Sequence, residues 1–328
     1  MGIRIVGIGS YTPERVLTNK DLEKMVDTSD EWISTRTGIK ERRIAADNEF
    51  TSDLAVKAAQ RAMEMAGVSP EEIDVITVAS ITNDRVFPST ACFVQKKIGA
   101  ANAVCFDVQA ACSGLLYSLE VANNMLKGSS KYKTFLVIGA EKLSTIVDWQ
   151  DRNTCVLFGD GASALLLKKT DDDKECILST NLGSDGNYTD ILHLPAGGSA
   201  MPASHETIDQ RLHYLKMGGR EVFKLAVNAM VSSCHKALAE ANVKASDLAW
   251  LVPHQANLRI LQAVAERLEM PVDNVYVNVN KYGNTSAASI GIALDEMLRG
   301  GKIHKGDLIL LTAFGGGLTW ASTLLRWC

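Results

Sequence analysis

The sequence predicts an α/β protein made of two similar halves related by a pseudo-twofold axis. Three observations carry this prediction. Residues 102–128, NAVCFDVQAACSGLLYSLEVANNMLKG, open with alternating apolar Val104, Phe106 and Val108, a strand buried on one face. They turn through Gln109-Ala110-Ala111 into a helix with Leu115, Leu119, Ala122 and Leu126 on its inner side. Residues 274–300, NVYVNVNKYGNTSAASIGIALDEMLRG, lie under that stretch at a constant offset of 172 (284 − 112), with Asn284 on Cys112 and the run Met297 to Gly300 on Met125 to Gly128. The strands that follow, 136–140 and 308–312, keep the same offset. A long unit that occurs twice marks a duplicated domain rather than a solenoid. The halves are expected at residues 1–170 and 175–328, joined by a polar turn at 171–174.

In chain order, residues 3–8 form the first strand. Residues 19–43 are polar and irregular, with Trp32 and Arg36 four apart, and read as a solvated cover. Thr51 or Ser52 can cap a helix running to Met65, with Leu54, Ala58, Ala62 and Met65 on one face and Gly67 ending it. A strand at 75–81 follows. The second half repeats this block as a helix at 222–241 and a strand at 249–252, at an offset of 175 (248 − 73). Phe158-Gly159-Asp160-Gly161 matches Phe314-Gly315-Gly316-Gly317 at 156 (314 − 158), so the first half carries 16 extra residues after Ala140. That insertion is a natural place for function absent from a plain repeat. Residues 187–217 are the least regular, and His193, His205 and His213 within them show no metal-ligand spacing.

The 328 residues are 46% apolar and 22% charged, an ordinary soluble globular composition with ample core. A net charge of −4 argues against general nucleic-acid binding. Seven scattered cysteines without a CxxC fit a reducing compartment and speak against a disulfide framework or a zinc site. The start lacks a signal-peptide pattern and no apolar run has membrane length, so a cytoplasmic location and no metal are expected.

The chemistry centres on Cys112, placed where strand becomes helix. A thiol there faces unpaired N–H groups and the positive end of the helix dipole, which favours thiolate. Small neighbours (Ala110, Ala111, Ser113, Gly114) leave room for a substrate. A structural cysteine is the plain alternative, but packing about the pseudo-axis would bring Cys112 and Asn284 to one site. His254 follows a strand almost directly, in VPHQAN, at the carboxyl end where such sheets place ligands. Together the three supply a nucleophile, a base or N–H donor, and an amide donor. The glycines after Phe314 expose backbone N–H groups suited to an oxyanion, a phosphate or a turn.

ACSG around Cys112, HQAN around His254, GNTSAAS around Asn284 and FGGG near the end resemble the beta-ketoacyl-[acyl-carrier-protein] synthase III family over essentially the whole chain. The resemblance implies the thiolase-like five-layered αβαβα fold, a homodimer, and initiation of type II fatty acid synthesis. It implies that Cys112 takes the acyl group from acyl-CoA, with the N–H groups of Cys112 and Gly316 as oxyanion hole. His254 and Asn284 would hold the thioester carbonyl of malonyl-acyl carrier protein while it loses CO₂. It also implies CoA contacts at Thr28, Trp32, Arg36, Arg152 and Asn257. The acyl pocket would comprise Leu143, Phe158, Phe223 and Phe314, with Phe87 reaching into the partner's. The resemblance places a carrier-protein surface over Gln255, Ala256, Asn257, Leu258 and Arg259. Lys224 and Arg267, the latter eight residues from Arg259 and near one helix face, would add the positive charge an acidic carrier needs. No cofactor is implied beyond the CoA thioester as substrate, and neither nucleic acid nor membrane as partner.

Thiolases use a second cysteine where Phe314 stands here, so a decarboxylating route is expected, since it needs no such proton acceptor. Chalcone-synthase-like enzymes share the Cys–His–Asn set but are longer. The remaining alternatives are a starter-unit synthase or acyltransferase of specialised metabolism on the same fold, and an inactive scaffold for acyl carrier protein.

Overall fold

The computed structural model describes residues 2–172 and 175–328. Two sheets carry the fold. The first has the strand order Gly2–Tyr11, Gly161–Thr170, Thr134–Glu141, Val75–Ala79, Val104–Val108, and the second Trp250–Pro253, Leu308–Gly315, Thr319–Arg326, Ile177–Ser184. Thr134–Glu141, Val75–Ala79 and Val104–Val108 run parallel in the first, Trp250–Pro253 and Leu308–Gly315 in the second, and the other pairings are antiparallel. The expected turn at 171–174 falls partly outside the described residues, at positions 173 and 174.

Apolar periodicity explains the five layers. The helices Gly114–Gly128 and Ser289–Arg299 are buried along both flanks, by Leu115, Leu116, Leu119 and Leu126 in one and Ile290, Ile292, Leu294 and Met297 in the other. They form the central layer, in one core with Phe135 and Leu165 of the first sheet and Ile309 and Leu325 of the second. Thr51–Ala66 and Thr90–Ile98 cover the outer face of the first sheet. Gly219–Glu240 and Leu258–Arg267 cover the outer face of the second. A fourth cluster joins Leu22, Ile33 and Ile39 of the N-terminal cover to Leu143 and Val156 of the insertion and to Phe158 just after it.

Register corrects the repeat. Val75 pairs with Phe135 in the first sheet as Trp250 pairs with Ile309 in the second. Equivalent strands therefore stand 175 residues apart (250 − 75) and then 174 apart (309 − 135). The helix starts Gly114 and Ser289 also differ by 175 (289 − 114). At the far ends of those helices the offset falls to 171 (299 − 128), near the 172 of the sequence match, because the first has 15 residues and the second 11. Ala287, not Asn284, is the counterpart of Cys112.

Three smaller expectations also change. The first residue outside the Thr51–Ala66 helix is Phe50, whose N–H is accepted by Asp53 at 2.9 Å. Thr51 and Ser52 do not cap it; their hydroxyls bond Thr82 O and Asp84 Oδ2 across the neighbouring loop. Val104–Val108 is an edge strand, and Val104 is 41% exposed rather than buried. Residues 187–217 do hold some order: a short helix His205–Asp209, and Leu192–His193 paired with Lys216–Met217.

Leu294 has no exposed surface and packs in the central layer. Leu294→Ala should lower the unfolding free energy by about 2–5 kcal/mol, read from the urea midpoint at constant slope. A loss below about 0.5 kcal/mol, within the range of ordinary surface substitutions, would mean that this layer is not closely packed.

Candidate active site

Cys112 stands on a single turn, Ala111–Ser113, between the edge strand and the central helix. Ala111 enters that turn at φ 46°, a left-handed conformation that a small side chain tolerates best. Ser286 enters the equivalent turn of the second half at φ 47°. The Cys112 turn is tied to the second half at the start of the strand Thr319–Arg326. Thr319 Oγ1 donates to Ala110 O at 2.9 Å and Ser113 Oγ donates to Thr319 O at 3.2 Å. The strand end at Gly315 passes so close that a Cβ there would lie 2.6 Å from Cys112 N. Only glycine permits that approach.

Cys112, His254 and Asn284 line one cavity of about 520 Å³, together with Gly316. His254 leaves the end of the Trp250–Pro253 strand, where its N–H donates to Thr312 O at 2.7 Å. Its Nδ1 is 2.7 Å from Ser289 Oγ, which also accepts from Gln255 N–H at 3.3 Å. Among the described bonds, His254 Nδ1 is the only acceptor for the Ser289 hydroxyl hydrogen. That arrangement puts the ring hydrogen on Nε2, a donor for the cavity. Asn284 is set similarly: its Oδ1 accepts from Ser286 N–H at 2.8 Å, leaving the amino group free to donate. Its backbone is held by Phe158, through Asn284 N–H to Leu157 O at 2.8 Å and Gly159 N–H to Asn284 O at 3.0 Å.

Electrostatics corrects the expectation of a thiolate. Burial pushes the Cys112 thiol up to about 12; a hydrogen bond with Ser286 opposes this and the nearby Glu141 carboxylate adds to it. Desolvation of the charged form is the largest cause of that shift. Burial likewise lowers His254 to about 3, so its ring is neutral.

Of the residues expected around an acyl chain, Leu143, Phe158, Phe223 and Phe314 line the cavity. Phe87 does not, and is 82% exposed. Leu157, Leu215, Met217 and Ile260 are lining residues that the motifs did not reveal. Trp32 lies on the Asp30–Thr37 helix in the cover, with the guanidinium carbons of Arg36 and Arg152 at 4.7 and 5.3 Å from its ring centroid. Thr28 sits just ahead of that helix, its hydroxyl buried and without a partner. Asn257 caps the Leu258–Arg267 helix, accepts from Arg259 N–H and donates to Arg36 O at 3.2 Å. It thus joins the cover to the cavity wall, which Ala256 and Asn257 also line.

Arg259 and Arg267 are exposed and both face the Gly219–Glu240 helix. Arg259 lies 6.0 Å over the Phe223 ring, and Arg267 bonds Asn228. Lys224 is exposed on the same helix, and half-buried Leu258 begins its neighbour. Gln255 is not on that surface. It is 1% exposed, donates to Pro253 O and Tyr276 O, and accepts from Asn278 and Val279 N–H. A buried amide with every valence filled positions the His254 loop and is out of reach of a docking protein.

A cysteine at a helix start, a neutral histidine and an amide donor around one apolar cavity of a duplicated five-layered fold define a thiolase-fold condensing enzyme. Models of 3-oxoacyl-[acyl-carrier-protein] synthase III match residues 106–186, and of its C-terminal part residues 238–327. The beta-ketoacyl-[acyl-carrier-protein] synthase III of Caldanaerobacter subterraneus subsp. tengcongensis is 54% identical over 98% of this chain and 97% of its own. The crystal structure of 3-oxoacyl-[acyl-carrier-protein] synthase III from Aquifex aeolicus superposes with a TM-score of 0.91 at 50% identity, covering 99% of this chain and 100% of that one. The priming beta-ketosynthase of the R1128 polyketide biosynthetic pathway also has a TM-score of 0.91, at 36% identity over 99% of this chain and 96% of its own. The chain belongs to the beta-ketoacyl-[acyl-carrier-protein] synthase III family.

The His254 environment sets a pH dependence of stability. The folded ring stays neutral to about 3, whereas an unfolded one protonates near 6.5. Below 6.5 the unfolded state binds the extra proton, so this contribution is full above that pH and is lost as pH falls towards 3. The urea midpoint should drop between about pH 7 and about pH 5, and less so in His254→Asn. Equal drops in both proteins would assign the slope to other groups.

Proposed function

We propose that this protein catalyses decarboxylative Claisen condensation of an acyl-CoA primer, acetyl-CoA or a short branched acyl-CoA, with malonyl-acyl carrier protein. The products are 3-oxoacyl-acyl carrier protein, CO₂ and CoA, and the step initiates type II fatty acid synthesis. The observation that carries this reading is the convergence of Cys112, a neutral His254 and the free amino group of Asn284 on one cavity. In the first half-reaction Cys112 Sγ attacks the primer carbonyl, and the N–H groups of Cys112 and Gly316 receive the oxyanion. In the second, loss of CO₂ leaves negative charge on the malonyl thioester oxygen. Two donors already in place stabilise that enolate more than the neutral carbonyl. The enolate carbon then attacks the acyl-Cys112 carbonyl.

The surrounding roles follow the same reading. CoA would pass over the cover at Thr28, Trp32, Arg36, Arg152 and Asn257, its adenine ring between Trp32 and Arg152. Acyl carrier protein, which is acidic, would dock on Ala256 to Arg259 with Lys224 and Arg267. The exposure of Phe87 supports a homodimer in which that ring reaches the partner's acyl pocket. CoA serves as substrate, and no cofactor is called for. Among the described residues no helix is long and apolar enough to cross a membrane, and a cytoplasmic site of action fits the reaction. A starter-unit role in specialised metabolism is the second reading, favoured by the likeness to the R1128 priming ketosynthase.

Three outcomes test this. Intact mass after incubation with acetyl-CoA should rise by one acetyl group in the wild type and not in Cys112→Ser; labelling of the variant would move the nucleophile elsewhere, and an unlabelled wild type would leave a scaffold. His254→Ala and Asn284→Ala should still acylate but release CO₂ from malonyl-acyl carrier protein at least about tenfold more slowly, the scale of losing one oxyanion-type donor or more. Wild-type release in both would refute their roles. Arg259→Glu should raise KM for the carrier substrate at low salt and less so at high salt, with acetylation by acetyl-CoA unaffected. An unchanged KM at low salt would remove Arg259 from the docking surface.

A further inference from the structure

We propose that the ion pair between Asp148 and Arg211 makes this enzyme selective for primer length, by fixing one wall of the cavity in place. The inference rests on the cavity being the acyl site, and it adds two positioning residues that none of the sequence motifs contains.

Two segments distant in the chain meet in that wall. The insertion after Ala140 contributes Leu143 and Ile146. The ribbon of Leu192–His193 paired with Lys216–Met217 contributes Leu192, Leu215 and Met217. Leu215 is buried in the same cluster as Leu143, Val147 and Val156. Apolar contact of this kind is non-directional, so it does not by itself set how the two segments stand to each other. Directional bonds do. Leu215 N–H donates to Ile146 O at 2.8 Å. Arg211 then grips Asp148 with two prongs: Nε donates to Oδ2 at 3.0 Å, and Nη2 donates to Oδ1. Lys216 Nζ of the ribbon stands 3.9 Å from the same Oδ2.

Both partners are set up for this contact. Asp148 is only 5% exposed, and its Oδ1 also accepts from Gln150 N–H at 3.0 Å, which orients the carboxylate. The bonds from Arg211 hold that carboxyl below its ordinary range, and Asp148 raises Arg211 in turn. Arg211 follows the short helix His205–Asp209 at φ 57°, a left-handed conformation better suited to glycine or asparagine. What its guanidinium reaches offsets that cost. The guanidinium carbon lies 4.7 Å from the Tyr214 ring centroid, so the aromatic face supports the fork. A two-pronged contact between arginine and carboxylate fixes orientation as well as distance.

Rigidity of the wall is what turns pocket size into selectivity. One methylene more or less in an apolar pocket is worth roughly 10- to 200-fold in discrimination, provided that the wall does not yield. This wall has yielding parts. Met217 is unbranched and adaptable, and the ribbon that carries it has two residues in each strand, too few to hold position unaided. With Asp148 and Arg211 joined, a longer acyl chain meets a fixed surface. With the pair broken, the ribbon gives way and admits it.

The test compares acylation of Cys112 by acetyl-CoA and by octanoyl-CoA in the full-length protein, followed by intact mass over time. Arg211→Ala should take up octanoyl at least about tenfold faster relative to acetyl than the wild type does. Both primers carry the same CoA, so any loss at Arg152, on the same insertion, cancels in that ratio. Asp148→Asn should shift the ratio likewise, and the double variant no further than either alone, because the two act as one unit. The urea midpoint of each variant reads its stability separately. A lowered midpoint with an unchanged ratio would make the pair a structural brace and overturn the proposal, as would shifts that add in the double variant. A wild type acylated by neither primer would instead overturn the acyl reading of the cavity, and this inference with it.

Discussion

The structure depends on bringing two helix starts together in a dry layer between two sheets. The helices Gly114–Gly128 and Ser289–Arg299 share one core with both sheets, and their entry turns lie side by side. At Gly139 a Cβ would meet Ala287 O at 2.4 Å, so the second half's turn rests directly on a first-half strand. A side chain has no room between them. Each polar group at the crossing must find a protein partner or cost roughly 1–3 kcal/mol. Ser113, Thr319, Ser286 and Glu141 meet that demand by bonding across the halves, and Ser289 by bonding His254 within the second.

The same dryness sets the charge state of the centre. Burial raises the Cys112 thiol to about 12 and lowers His254 to about 3, so both rest uncharged. The site therefore holds its charge-stabilising donors unspent until a reaction creates charge. Preorganised donors in such surroundings act most strongly on an oxyanion or enolate, because they need not reorient and little solvent competes. A permanently charged thiolate–imidazolium pair would satisfy itself and weaken the donor available to an enolate.

The repeat and the Cys–His–Asn set were legible because they leave local marks: a strand followed by small residues, a histidine at a strand end, a glycine run. The register between the halves was misleading for a physical reason. The sequence aligns best at the helix ends, Met125 to Gly128 with Met297 to Gly300, but the second helix is about one turn shorter. Its start is displaced accordingly, and Asn284 reaches the site from the loop before the turn, held by Phe158. Depth was not legible either. Gln255 in a polar tetrapeptide reads as surface yet is a fully bonded core amide, and the helix dipole at Cys112 gives no hint of the larger desolvation. A carboxylate directly after the apolar run FLVIGA was the available signal for Glu141.

Corrected register also exposes how the duplication diverged. With Phe135 equivalent to Ile309, Glu141 is the counterpart of Gly315. Each of these strand ends crosses to face the other half's turn: Gly315 lies against Cys112 N, and Glu141 against Ser286 Oγ. At one crossing the side chain is absent, so the backbone can approach the turn that carries Cys112. At the other, a carboxylate is buried among hydroxyls. At the position equivalent to Cys112, proposed above as the nucleophile, the second half carries Ala287, which has no reactive group. A symmetric pair of turns can hold two copies of one function, but acyl transfer needs a nucleophile on one side and donors on the other. Breaking the symmetry at Cys112/Ala287 and Glu141/Gly315 separates those tasks while leaving the central helix packing, which both halves share, unchanged.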